Sequence, residues 1–113
     1  DAIDQALTPV IEIVIEEIDP DFSRLDLVAS FQKDVIAYSY RVRDRNGQRV
    51  KVSLSNNIFN RGDEIKNLLT RFRQSFVDNN EAWAAMHVRV TDTGDFEMEF
   101  DYKDPYKFDI QKM

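Results

Sequence analysis

The chain has 113 residues, a net charge of −6 and no cysteine. Its length fits a single domain over residues 1–113, and 42% of the residues are hydrophobic, enough to build a sizeable core. The lack of cysteine excludes thiolate metal sites and cysteine nucleophiles and favours a reducing compartment, while the acidic balance disfavours direct nucleic-acid binding because phosphates would repel the chain.

The N-terminal residues are acidic, whereas a secretory signal peptide begins basic and then turns apolar. No apolar run along the sequence approaches the roughly 20 residues that a membrane span needs. The sequence therefore predicts a cytoplasmic protein that does not bind membranes.

The first predicted element is an amphipathic helix. One stripe of apolar residues has the period of a helix face, at Ile3, Leu7, Ile11, Val14 and Ile18. Pro9 removes a hydrogen bond and clashes with the preceding turn, so the helix begins either near Thr8 or near Ala2 with a kink at the proline. Because the stripe continues through Pro9, we favour the longer, kinked helix, which ends at residues 19–21.

Three runs with strand periodicity follow the helix. Each alternates apolar and polar residues over a short stretch, namely residues 25–31, 36–43 and 50–54. Turn-forming residues separate the runs at 32–34 and at 44–48. Two consecutive hairpins are therefore predicted.

The register of the second hairpin depends on the length of its loop. Asn46-Gly47 favours a two-residue turn, but that turn would place Val42 opposite a lysine. A three-residue loop over 45–47 places Val42 opposite Val50 instead. Because alternation fixes the register where one face is buried, we predict the three-residue loop with Gly47 at positive φ.

Residues 60–80 form the second predicted helix. Its apolar face comprises Ile65, Leu68, Leu69, Phe72 and Phe76. Asp63 and Glu64 are expected in its first turn, where carboxylates interact favourably with the helix dipole.

The last predicted element is a hairpin with a loop over residues 92–94. Alternation predicts that one set of residues faces inward, namely Met86, Val88, Val90, Phe96, Met98, Phe100 and Tyr102. The same parity places His87 opposite Glu99 and Arg89 opposite Glu97.

Taken together, the elements follow the order α-β-β-β-α-β-β. The simplest packing is an α+β, two-layer fold in which a mostly antiparallel five-stranded sheet carries both helices on one face.

This order, with a tryptophan directly after the second helix and a glycine–aromatic hairpin before an acidic tail, resembles the YezG-like immunity (antitoxin) family. The motif residues are Trp83, Gly94, Phe96 and Tyr102, and the resemblance extends from residue 3 to about residue 106. It implies a cytoplasmic protein without catalytic activity or cofactor. Such a protein binds and neutralises the C-terminal domain of a polymorphic toxin, often a nuclease, delivered between bacteria in systems such as contact-dependent growth inhibition.

Residue chemistry alone leaves another function open. The chain could be a non-catalytic adaptor or regulatory domain, homodimeric through an exposed sheet edge. On either hypothesis the free protein is a monomer or a weak homodimer.

His87 is the only histidine in the chain. Beside Glu99 it could act as a general base with an orienting carboxylate, but a reaction needs further groups that the sequence does not supply. We therefore predict no catalytic residue and interpret His87 and Glu99 as a cross-strand surface pair.

Acidic residues alternate along the last strand and continue into the tail, at Glu97, Glu99, Asp101 and Asp104. They could hold Mg²⁺ or Ca²⁺, but the loop ligands of such sites are missing, so we predict no metal site. The remaining alternatives are a solvated sheet face and a surface that binds a basic toxin. These four residues form the acidic half of the predicted partner-binding set.

The basic half of that set lies on the second hairpin, at Arg41, Arg43, Arg49 and Lys51. Like charges directly opposite one another are unfavourable, so we expect Asp26 or the acidic strand to compensate them. Without such compensation the basic residues would form a site for an acidic partner.

Trp83 also allows two interpretations. It could be an interface hot spot, but a core position that anchors the helix to the sheet is favoured because tryptophan usually buries most of its area.

Overall fold

The computed structural model describes residues 2–15, 22–50 and 56–113, and the side chains of these ranges except residues 2–5 and 56–61. In chain order its elements are α1 (Ala2–Ile15), β1 (Phe22–Gln32), β2 (Val35–Asp44), α2 (Asn56–Asp78), β3 (Ala85–Thr91), β4 (Phe96–Asp101) and a 3₁₀ turn (Ile110–Lys112).

Both helices agree with the sequence periodicity. α1 continues through Pro9, as predicted, and its predicted end at 19–21 lies outside the described residues. α2 begins at Asn56, earlier than predicted, so Asp63 and Glu64 do not lie in its first turn. Neither helix, over the ranges described, is long and apolar enough to cross a membrane.

The sheet has four strands within the described residues, in the order β2-β1-β3-β4, and every neighbouring pair is antiparallel. The predicted five-stranded sheet is therefore wrong. Of the predicted third strand over 50–54, the structure describes Val50, whose N–H donates to Val42 O (2.9 Å), and the preceding Arg49 forms an isolated bridge with Arg43. Residues 51–55 lie outside the described ranges. Alternation indicates which side of a segment is buried, but it does not determine how many backbone pairs the segment forms.

The predicted registers of the second and the last hairpin are confirmed over the described residues. The predicted inward position of Tyr102 is wrong, because β4 ends at Asp101 and the Tyr102 side chain is exposed. Arg43 lies opposite Arg49, which leaves a three-residue loop with Gly47 at φ 77°. In the last hairpin His87 lies opposite Glu99, and Gly94 closes the loop at φ 88°. These two glycines adopt a backbone conformation that residues with a Cβ atom rarely adopt.

The core lies between the sheet and the helix layer. α1 contributes Leu7, Val10 and Val14, and α2 contributes Ile65 and Leu69, to one buried cluster with the inward residues of the strands. Both helices therefore cover the same face of the sheet. The opposite, outer face carries the charged residues of the strands.

Trp83, between α2 and β3, is fully buried. Its ring lies 6.5 Å from that of Phe72 on α2 and 6.1 Å from that of Phe100 on β4. Arg73 Nε donates to the Trp83 carbonyl oxygen (2.8 Å), and its guanidinium lies 3.6 Å above the ring centre of Phe31. Trp83 thus packs between α2 and β4, and Arg73 links it to Phe31 on β1.

Gly94 gives a first test of the loop geometry. A Cβ atom at this position would meet no atom within 4 Å, so a substitution affects only the backbone conformation. We expect Gly94→Ala to lower the free energy of unfolding by about 1 kcal/mol, measured by urea denaturation. Gly94→Asn should cost less because asparagine tolerates positive φ. An alanine variant as stable as the wild type would contradict the observed loop.

Candidate partner-binding surface

Residues 102–113, here called the C-terminal segment, run back from the end of β4 across the outer face of the sheet. The Phe108 ring lies 5.8 Å from that of His87 on β3. Further along, Gln111 Oε1 accepts a hydrogen bond from Arg41 on β2 (2.6 Å). The segment therefore crosses β3, β1 and β2 and leaves β4 behind.

The acidic residues Asp101 and Asp104 shape the start of this segment. The Asp101 carboxylate accepts hydrogen bonds from the backbone N–H groups of Asp104 (2.7 Å) and Lys103 (2.9 Å), which lower its pKa. The Asp104 carboxylate accepts from Tyr106 N (2.9 Å). Both carboxylates thus already bind the protein's own backbone.

The basic residues of β1 and β2 hold the end of the C-terminal segment. Arg24 and Arg43 both donate to the Met113 carbonyl oxygen, at 2.9 and 2.6 Å. Arg49 donates to the Gln111 carbonyl oxygen, and Arg43 also donates to Gly47 O (2.7 Å). Lys51 lies outside the described residues.

The groups that compensate this basic cluster in the structure differ from the predicted ones. Strands β1 and β3 separate the acidic strand β4 from β2, so the acidic strand does not neutralise the cluster. Asp26 does lie opposite Arg41 in the register, but its carboxylate binds other partners. In the described residues, oxygens of the C-terminal segment take the place expected for carboxylates.

Asp26 is the centre of a buried charged network on the outer face. Its side chain is 1% exposed, and His87 Nε2 and Arg89 Nε lie 2.7 and 2.8 Å from Oδ1. Arg24 Nε lies 2.9 Å from Oδ2. Burial by itself raises the pKa of Asp26, but the hydrogen bonds from His87 and Arg89 and the charges of Arg89 and Arg24 outweigh it, so the pKa is lowered.

His87 is not the surface residue that was predicted. Its Nδ1 lies 3.5 Å from Glu99 Oε1, in agreement with the register, yet the residue is only 6% exposed. Phe108 of the C-terminal segment lies against the imidazole, and Asp26 binds its other nitrogen. The C-terminal segment has no periodic pattern of apolar residues, so the burial of His87 could not be predicted from the sequence.

The lowered pKa of Asp26 predicts an acid dependence of stability. The carboxylate contributes stability fully above its unfolded pKa of about 3.9, and this contribution is lost as the pH falls through the lower folded value. We expect the urea midpoint to fall as the pH drops below about 4. The Asp26→Asn variant should show a shallower fall, and equal slopes for the two proteins would contradict the assignment.

The carboxylates of Glu97 and Glu99 on β4 remain in solvent. The Glu99 side chain is 68% exposed, and Glu97 is also exposed. Arg89 lies opposite Glu97 in the register, but its guanidinium is directed to Asp26 instead. Of the predicted acidic set, these two residues are therefore the ones whose carboxylates face outward from the strand.

A groove of about 390 Å³ lies between the C-terminal segment and the outer face. Val28 and Ser30 of β1 line one side, and Tyr106 and Phe108 line the other. Within the described ranges, no three histidine, aspartate or glutamate residues converge to hold a metal ion.

A comparison with protein families concerns nearly the whole chain. The family model described as "Immunity protein YezG-like" matches residues 12–113. No curated protein matches the chain. The family resemblance seen in the sequence is thereby confirmed.

Proposed function

The chain belongs to the YezG-like immunity protein family, and on this basis we propose that it binds and neutralises the C-terminal nuclease domain of a cognate bacterial toxin in the cytoplasm. The family match over residues 12–113 is the observation that carries the proposal. The protein acts by occupying a surface of the toxin and not by a reaction of its own.

The charge on β4 supports a nuclease as the target. A nuclease surface that holds a phosphate backbone must be basic, and the exposed carboxylates of Glu97 and Glu99 are complementary to such a surface. An immunity protein that covers it excludes the nucleic acid. Complementary charge also speeds association, so the toxin is captured early.

The other predicted contact residues make secondary contributions in this proposal. Asp101 and Asp104 already accept backbone hydrogen bonds. Arg41, Arg43 and Arg49 already donate to the C-terminal segment. A toxin would have to displace these internal contacts before it could use the same groups, whereas Glu97 and Glu99 offer exposed carboxylates.

One observation supports the alternative of a homodimeric adaptor, namely that β4 is an edge strand of the sheet. Antiparallel pairing of two β4 strands about Met98 would place Glu97 of one copy opposite Glu99 of the other. Like charges opposite one another are destabilising, so the edge favours a basic partner over a second copy.

Co-expression tests the proposed function. The partner to test is the C-terminal domain of the product of the gene immediately upstream of this chain's gene. We expect this chain to restore growth, to abolish nuclease activity in vitro and to form a stoichiometric complex in size-exclusion chromatography with light scattering. Growth arrest that continues despite soluble expression, with no complex and only homodimers, would support the adaptor instead.

A further inference from the structure

The free edge of β4 is the feature from which a binding mode can be inferred. In the described residues β3 pairs with β4 on one side, and no strand pairs with it on the other. An unpaired edge presents a row of backbone N–H and C=O groups that can extend the sheet with another chain.

The direction of these groups follows from the ladder. Thr91 N donates to Asp95 O (3.0 Å), and hydrogen-bonded pairs alternate along an antiparallel ladder. Glu97 and Glu99 therefore direct their N–H and C=O groups toward β3. Met98 and Phe100 direct theirs away from it, toward the open side.

The side chains along this edge alternate as well. Phe96, Met98 and Phe100 are only partly buried against the core on the helix side. Glu97 and Glu99 are exposed on the outer side. A strand beside β4 would gain apolar contacts on one of its faces and carboxylate contacts on the other.

The faces of the sheet over β3, β1 and β2 are already covered. Both helices pack on the inner face, and the C-terminal segment crosses the outer face of these three strands. β2 is the other edge strand, and within the described residues Arg49 and Val50 bind its end, at Arg43 and Val42. Of the two edge strands, β4 is the one that carries exposed carboxylates on its outer side, at Glu97 and Glu99.

We propose that the toxin domain adds a β-strand to the free edge of β4. The added strand alternates basic residues, which lie beside Glu97 and Glu99, with apolar residues, which lie beside Phe96, Met98 and Phe100. Main-chain hydrogen bonds extend the sheet by one strand, and the alternation of basic and apolar residues on the added strand makes the binding selective. This inference rests on the proposed function, because it assigns the binding site of the same partner.

Residue-resolved hydrogen exchange provides the direct test. In the free protein the amide of Met98 should exchange rapidly and the amides of Glu97 and Glu99 slowly, because they point to opposite sides of the strand. In the complex with the toxin domain we expect exchange at Met98 to slow by about tenfold or more. Docking through the carboxylates alone would leave the Met98 amide unprotected and would overturn the inference.

A backbone variant gives an independent readout. Met98→Pro removes the outward N–H without touching the bonds to β3 and should weaken toxin binding by about tenfold or more. Met98→Leu, which keeps the N–H and the apolar side chain, is the matched control and should bind as the wild type does. If Met98→Pro does not fold, as judged by circular dichroism, the exchange experiment decides alone.

A peptide probe separates this inference from the proposed function. An alternating lysine–valine peptide should protect the Met98 amide of the free protein, whereas a glutamate–valine peptide should not. Toxin neutralisation without protection at Met98 would overturn the strand addition and leave the proposed function intact. Failure of neutralisation together with protection by the basic peptide would overturn the toxin as the partner and leave β4 as an edge that accepts a basic strand, and protection by neither toxin nor peptide would overturn the inference.

Discussion

Replacing Glu97 and Glu99 together by lysine is expected to slow association with the toxin domain by about 10- to 100-fold at low salt. The two exposed carboxylates attract a basic surface, and lysines at the same positions would repel it. Stopped-flow fluorescence or surface plasmon resonance would measure the association rate. The difference from the wild type should shrink as salt screens the charges.

Two controls distinguish an effect of the β4 surface from an effect of the overall net charge. The Glu97→Gln and Glu99→Gln double variant should give an intermediate rate. Lysine at the exposed positions Glu12 on α1 and Glu81 after α2 changes the net charge by the same amount away from β4. An equal loss of rate in this second control would show that overall charge acts and not the β4 surface.

Asp26→Ala is expected to lower the free energy of unfolding by about 2–3 kcal/mol. The carboxylate accepts from His87 and Arg89 and lies beside Arg24, so its removal leaves a buried imidazole and the partly buried Arg89 guanidinium without this acceptor and takes away the charge that faces Arg24. The melting temperature should fall by about 10 °C, measured by calorimetry.

Asp26→Asn is the companion variant for this prediction. The amide keeps one acceptor oxygen but loses the charge, so we expect a smaller loss of stability than for alanine. Lys66→Ala, at an exposed position on α2, should change the free energy of unfolding by no more than about 0.5 kcal/mol. An Asp26→Ala protein with the wild-type midpoint would mean that the network does not stabilise the fold.

The hairpin registers could be predicted from the sequence because few loop lengths place apolar residues opposite apolar residues along both strands. A two-residue loop would have placed Val42 opposite Lys51, and the structure has the three-residue loop that pairs Val42 with Val50. The stripe through Pro9 likewise identified α1. In both cases many apolar residues have to agree with one geometry.

The strand count and the burial of the outer face could not be predicted in this way. Alternation over 50–54 indicated an extended segment but not the extent of its pairing. The C-terminal segment has no periodic pattern of apolar residues because, apart from its 3₁₀ turn, it is neither helix nor strand. Its path over the sheet therefore appears only in the structure, and with it the burial of His87 and Asp26.

The exposure of the candidate partner-binding residues could be predicted in part. The exposure of Glu97 and Glu99 follows from the alternation of apolar and acidic residues along β4, which is visible in the sequence. Arg41 and Arg43 donate to the Gln111 side chain and the Met113 carbonyl oxygen, each 70 residues further along the chain. Asp101 accepts from the backbone N–H of Asp104 in an irregular turn. Such contacts leave no periodic pattern in a single sequence.

The placement of Asp26 also has a consequence for how the chain avoids misfolding. Asp26 and Arg89 are directly opposite in the pairing of β1 with β3. A slip of one residue would turn the carboxylate to the side beneath the helices, where it would be buried among apolar side chains without a cation. Asp26 thus disfavours a one-residue slip of the strands, since a sheet misaligned by one residue would carry an uncompensated charge in its interior.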